Sequence, residues 1–397
     1  MVSLRTLGAL LAAVLPLGLT APVTGEVAAL DISDRYIVTL KTDITKESLS
    51  SHLTWVDGVH KRSLRRRDLS GVDKQLNIGS FHGYSGAFDE ATVEELRRSG
   101  DVVRIEPVQL YYPTALTSQE NATHGLGTIS SREPGSSIYT YDDSAGKGGY
   151  AYVLDSGIRL THEEFGGRAT FGYNPTGGDN VDTMGHGTHV AATIAGSTFG
   201  VAKGAEVIDI KVFGEGPSTS DIILDGFQWA VDDIIAKDRV GRAVLNLSLG
   251  GPASNVWDDI INAAYELGIL SIAASGNTNI PAVQESPANS ANALTVGGIG
   301  AEWDEGVYSN YGEAVDILAP GTSVTSAGIA SDTATLTDTG TSMAAPHVAG
   351  LALYLSVLEN ITTAQALKAR ILELGTPNMV QKLKEGSPNL IAFNGIA

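Results

Sequence analysis

The sequence predicts an α/β protein, a large domain with a mostly parallel central sheet, preceded by a small α+β segment. Three observations carry this. Short apolar runs of strand length, residues 150–154, 244–249 and 269–274, read as strands buried on both faces. Apolar runs of helical length follow His186 and extend from Met343 to Leu358. The 397 residues, 43% of them hydrophobic, suffice for one large core and a smaller one.

Taken in order, Arg5 and the apolar run 7–19, interrupted by Pro16, make residues 1–20 a secretory signal peptide, too short to span a bilayer comfortably. The protein is therefore expected outside the cell. Its formal charge of −19 is concentrated in residues 115–397, which hold 13 Lys and Arg against 31 Asp and Glu. Such a surface argues against nucleic acid as a partner and favours a soluble monomer kept apart by charge. No other apolar segment is flanked as a membrane span demands, so no membrane partner is expected. The cysteine count is zero, which removes disulfides, thiolate metal sites and a cysteine nucleophile. Serine and carboxylate chemistry remain.

The segment from Arg35 to Leu116 reads as strand 36–40, polar helix 46–60, strand 81–88, helix 91–98 closed by Gly100, extended piece 102–107 and an apolar tail. Helices on one face of an antiparallel sheet are the expectation. The basic run Lys61-Arg62-Ser63-Leu64-Arg65-Arg66-Arg67 reads as a solvated loop or as a processing site for a basic-specific protease.

The chemistry concentrates at three places. In Gly340-Thr341-Ser342-Met343-Ala344-Ala345-Pro346-His347 a small hydroxyl stands between a glycine turn and a long apolar helix, with Pro346 expected in the first turn. There the unpaired N–H groups of the helix end stabilise growing negative charge. Asp155 ends the strand 150–154, where open α/β sheets place their chemistry. His186, in Gly185-His186-Gly187-Thr188-His189, starts a helix and can shuttle protons near neutral pH. His186 and His189 also have a metal-like spacing, but the Glu and second spacing of the zinc-protease helix are missing, and His189 reads as a packed core histidine. Singly, these residues read as a helix cap, a turn and a core imidazole. Together, in the order Asp, His, Ser, they match one of the chain orders in which nucleophilic triads occur.

These three blocks resemble the signatures of the subtilase family, most closely its proteinase K branch of secreted fungal alkaline proteases, and the likeness runs over most of residues 120–397. The earlier segment is similar to that family's inhibitory propeptide. The resemblance implies a subtilisin-like three-layer domain over residues 115–397 and a propeptide over residues 21–114 that assists folding, inhibits the enzyme and is cut off by it near residues 114–119. It implies that Asn277 donates to the oxyanion. Ser248, Leu249 and Gly250 would form one wall of the substrate cleft, Ala273, Ala274, Ser275 and Gly276 the floor of the first side-chain pocket, and Gly214 the opposing edge. Protein and peptide substrates with an apolar or aromatic residue before the cut follow from those small residues. No cofactor is implied for catalysis. A structural calcium ion is implied at Asp316 with the carbonyls of Ala291 and Ala293. One departure is Thr123-His124-Gly125-Leu126-Gly127, which lacks the Pro-Trp that relatives often carry before Gly-Leu. Asn121 and Asn360 head glycosylation sequons, whereas the sequon at Asn246 falls in a buried strand. The rival readings are a secreted esterase, disfavoured because its serine would come first in the chain, and a non-catalytic binding protein, disfavoured because all four catalytic side chains are present.

Overall fold

The computed structural model describes residues 32–63, 69–109 and 116–396. The signal peptide expected over residues 1–20, the arginines 65–67 and the cut region at residues 114–115 lie outside the described residues. The chain divides into two compact units, residues 1–113 and 114–397.

In the first unit, β1 (Arg35–Leu40), α1 (Lys46–Arg62), β2 (Gly71–Ile78), β3 (Phe81–Ala87), α2 (Glu90–Arg97) and β4 (Val102–Pro107) follow one another. Thr45 and Asp89 start the two helices, their side chains accepting from Ser48 N and Thr92 N. The four strands form an antiparallel sheet in the order β2-β3-β1-β4. Val38, Leu40, Tyr84 and Phe88 meet Val56, Val93 and Leu96 of the helices in one core. Strand β2 escapes the sequence reading because Asp73, Lys74, Gln75 and Asn77 give it little apolar pattern. Pairing with β3 holds it, rather than burial.

The second unit opens with β5 (Leu116–Gln119), α3 (His124–Ile129), β6 (Tyr139–Asp142), β7 (Tyr150–Asp155), β8 (Ala169–Tyr173), α4 (His186–Ala195) and β9 (Glu206–Lys211). It continues through α5 (Ser220–Ala236), β10 (Ala243–Leu247), β11 (Gly251–Pro252), α6 (Asn255–Glu266), β12 (Leu270–Ala274), β13 (Glu285–Ser286) and β14 (Leu294–Ile299). It ends with β15 (Ile317–Pro320), β16 (Val324–Ala327), β17 (Thr335–Asp338), α7 (Thr341–Leu358), α8 (Ala364–Leu374), β18 (Thr376–Pro377) and β19 (Leu390–Ile391). Nine strands make one sheet in the order β18-β19-β15-β14-β12-β10-β7-β9-β8, parallel except at β18.

Alternate residues of each strand feed opposite cores, as a sheet covered on both faces requires. Ala151 and Val153 join Val190 of α4, Val348 of α7 and Ile371 of α8. Tyr152 and Leu154 join Phe227 of α5 and Trp257 and Ile261 of α6. The result is the three-layer α/β arrangement. By length and composition α7 passes for a membrane span, yet most of it is buried inside this unit. The sheet order reverses direction at β7, whose neighbours are β9 on one side and β10 on the other. Crevices at the carboxyl ends of such strands are where this class of sheet binds ligands, and β7 ends at Asp155.

Candidate active site

At the end of β7, Asp155 is almost fully buried, and both of its oxygens face His186 Nδ1, at 2.8 and 3.0 Å. A carboxylate only accepts, so the proton between them sits on Nδ1 and leaves Nε2 as the basic nitrogen. Asp155 Oδ1 also accepts from Ser156 N at 2.7 Å. Burial by itself would push the His186 imidazole down. The Asp155 carboxylate, with Asp338 and Asp182 behind it, outweighs that and raises it to about 9.

Helix α4 is aimed at Asp155 by a residue that the sequence reading passed over. Asp182, buried, accepts from Met184 N, Gly185 N, Thr188 N and the Thr188 hydroxyl, and so gathers the donors of the helix start. Ser156 donates to Asp182 and accepts from Gly187 N, which ties that start to the end of β7. The approach is so close that a Cβ on Gly187 would collide with Gly157 O. An aspartate three residues before Gly185 is the signal in the sequence that could have revealed this. His189 is buried beneath, its Nε2 3.0 Å from Val324 O.

Ser342 is the second residue of α7, whose N-cap is Gly340, with no side-chain cap. It therefore sits in the first turn without capping the helix. Gly340 is extended and needs no left-handed turn. Pro346 is the sixth helical residue, not a first-turn residue as expected, and its missing N–H leaves Ser342 O without the usual donor. The Ser248 hydroxyl takes over, donating to Ser342 O at 2.8 Å while itself accepting from Asn246 Nδ2 at 3.0 Å. In return Ser342 Oγ donates to Ser248 O at 3.3 Å. Among the described residues no hydrogen bond joins Ser342 Oγ to His186, a looseness common in sites without substrate. Further along the helix, His347 Nδ1 meets Met343 O at 2.8 Å, and full burial pushes this imidazole down to about 3, so it stays neutral.

Asn277 follows β12. Its Oδ1 accepts from Thr341 N at 2.8 Å and lies 3.0 Å from the Thr341 hydroxyl. With the oxygen occupied, Nδ2 is the free end of the amide. The Thr341 hydroxyl also accepts from Gly276 N.

Beside Ser342 opens a cavity of about 230 Å³. Leu249, Gly250 and Gly251 line one side, Ala274, Gly276, Asn277 and Thr278 the other, and Glu285 lies among them. Of the residues the sequence assigns to this pocket, Ser248, Ala273 and Ser275 lie buried behind the lining, with Ala273 in the opposite core. Gly214 is not among the lining residues. Glu285 was not anticipated.

Asp316, Ala291 and Ala293 do converge, but on a cation the chain supplies. Lys368 Nζ donates to Asp316 Oδ2 at 3.0 Å, to Ala291 O at 3.0 Å and to Ala293 O at 2.5 Å. The ammonium thus occupies the point where the oxygens expected to hold calcium meet, an ion that takes 6 to 8 of them. Burial raises the Asp316 carboxyl, with Lys368 opposing. Among the described residues no cluster of three His, Cys, Asp or Glu suits a metal ion.

Both units have counterparts among known proteins. Residues 146–385 match the model of the subtilase family, and residues 35–114 that of peptidase inhibitor I9. The chain is 50% identical over 393 residues to alkaline protease 1 of Emericella nidulans, with 97% of each covered. It is 48% identical to an alkaline proteinase of Hapsidospora chrysogena, covering 100% of this chain and 99% of that one. A crystal structure of a cold adapted subtilisin-like serine proteinase superposes with a TM-score of 0.64 at 35% identity, covering 69% of this chain and 99% of that one.

Proposed function

The chain belongs to the subtilase family and is a serine endopeptidase with an inhibitor I9 domain ahead of it, and we propose that Ser342, His186, Asp155 and Asn277 carry its chemistry. Ser342 Oγ attacks the peptide carbonyl as His186 Nε2 takes its proton. The oxyanion forms against Ser342 N–H and Asn277 Nδ2, and the C–N bond breaks as His186 returns the proton to the amine. Water, deprotonated by the same imidazole, then attacks the acyl carbonyl, and the proton passes to Ser342 Oγ as the ester bond breaks. Asp155 holds the imidazole and stabilises its charged form. No cofactor takes part in these steps. The observation that carries the reading is the grip of both Asp155 oxygens on His186 Nδ1, which leaves Nε2 as the base.

The test is labelling by a fluorophosphonate. Modification of Ser342 in the natural protein, lost in Ser342→Ala, supports the assignment, and an unlabelled but active enzyme overturns it.

We further propose that the protein is secreted through a signal peptide over residues 1–20. Residues 21–114 then act as an inhibitory propeptide that the enzyme removes from itself, leaving a monomeric domain from residue 115 to 397. Ser342→Ala should accumulate near full length, and normal maturation of that variant in a host without related proteases would refute self-processing. Asn121 and Asn360 are exposed, and we assign them as the glycan acceptors. The acidic surface fits a partner list of protein and peptide substrates without nucleic acid or membrane. The small residues around the pocket suit a large side chain with an apolar body before the cut.

A further inference from the structure

We propose that Glu285 makes lysine and arginine favoured residues before the scissile bond; this deepens the peptidase reading above and rests on it. The apolar walls suit the hydrocarbon stem of either residue as well as an aromatic ring. What they leave unexplained is a carboxylate in the same cavity as the nucleophile.

Its place is built. Glu285 belongs to β13, which pairs with β11 immediately after the wall residues Leu249 and Gly250, with Pro252 opposite Glu285. Asn289 N donates to Glu285 O at 2.9 Å and anchors the backbone. The side chain, half-buried, reaches between the two walls. Its Oε2 is 3.4 Å from where a Cβ on Gly250 would be and would collide with one on Gly276, whose φ of +103° in any case favours glycine. Both walls thus leave the carboxylate room by lacking a side chain.

Its charge is unanswered. Oε1 accepts from the Thr278 hydroxyl at 3.0 Å, and among the described residues no lysine, arginine or histidine pairs with Glu285. A carboxylate offers about four acceptor positions, so most remain open to a ligand. Beneath it, Asn310 Nδ2 is fully buried without a hydrogen-bond partner and aims at the same point beside Gly276, because Asn310 Oδ1 is held by Thr278 N and Ile280 N. A donor behind the carboxylate and a half-buried cavity before it favour one further partner, a cation on a stem long enough to enter beside Ser342. Charge-assisted hydrogen bonds from an ammonium or guanidinium satisfy it. An uncharged side chain of equal length leaves it unpaired.

The experiment uses the mature enzyme and internally quenched peptides that differ only in the residue before the cut: lysine, arginine, methionine, glutamine, phenylalanine or glutamate. Active enzyme is counted by fluorophosphonate titration of Ser342. We expect kcat/KM for lysine and arginine to exceed that for methionine and glutamine by at least about tenfold, with glutamate slowest. In Glu285→Gln, which keeps the length and the acceptor for Thr278, that ratio falls to within about threefold, a change that loss of a purely structural contact would not produce. Should that variant fail to fold, the natural enzyme still decides, since cationic benzamidine should inhibit at least about tenfold more tightly than neutral benzamide. Equal rates for lysine and methionine, a ratio unchanged in Glu285→Gln, or equal inhibition by the two benzene derivatives overturns the pocket assignment while leaving the protease intact. Absence of labelling at Ser342 overturns the peptidase mechanism and this inference with it.

Discussion

The two halves of the site are held by different physics. On the base side, Asp155, Ser156, Asp182, His186 and Thr188 form a buried network in which the carboxylates accept from several donors each. On the nucleophile side, Ser342, Ser248, Thr341 and Asn277 are linked by neutral hydrogen bonds, and the Ser342 hydroxyl donates to Ser248 O at a long 3.3 Å. The base half spends its hydrogen-bonding capacity within the protein. The nucleophile half keeps donors open, which is where the charge of the reaction develops.

If that contrast is right, substitutions should differ in kind as well as size. Removing Ser342 or His186 should lower kcat by about 10⁶-fold and Asp155→Asn by about 10⁴-fold, measured by single turnover on a peptide substrate. Retention of more than about a tenth of the activity in either of the His186 and Asp155 variants would dissolve the base half as drawn, and in the Ser342 variant the nucleophile half. Asn277→Ala should cost about 10² to 10³ in kcat with little change in KM, since its free Nδ2 meets charge only in the transition state. A rise in KM at constant kcat would make it a binding residue instead.

The pH profile sharpens the comparison further. Only neutral His186 accepts the serine proton, and the carboxylates around it raise its pKa from 6.5 to about 9. The rate should therefore climb as the proton leaves, with the acid limb of kcat/KM displaced to the alkaline side of 6.5. Asp155→Asn should move that limb back toward acid. A midpoint below 6.5 in the natural enzyme would show that burial, not charge, governs the base half.

On the neutral side, Ser248→Ala leaves Ser342 O without its donor and should cost about 1 kcal/mol of stability, read from denaturant midpoints, together with a modest loss of kcat. Outside both halves, a chelator should leave the melting temperature unchanged, because Lys368 fills the place beside Asp316.

Much of this was legible in the sequence. Asp155, His186 and Ser342 stand out because each has a glycine within two residues at a strand end or helix start, and local patterns survive without knowledge of the fold. Pro346 was misplaced by one turn because the helix begins at Thr341, and its compensation by Ser248 comes from the residue after β10, 94 residues away in sequence. Glu285 was invisible for a similar reason. A lone acidic residue between Gln284 and Ser286 becomes part of a pocket only once β13 pairs with β11 and Gly276 clears its path. Lys368 meets Asp316 from 52 residues away, on a helix that advertises only its own amphipathic face.

That lysine has a further effect. An ion drawn from solution comes and goes with its concentration, so a site that depends on it has an occupancy set by the medium. Lys368 rides on α8, and its three bonds tie that helix to the loop before β14 and to Asp316. The counter-charge of Asp316 is thus tethered to the C-terminal fold by covalent bonds, present at one equivalent whatever the surrounding medium holds.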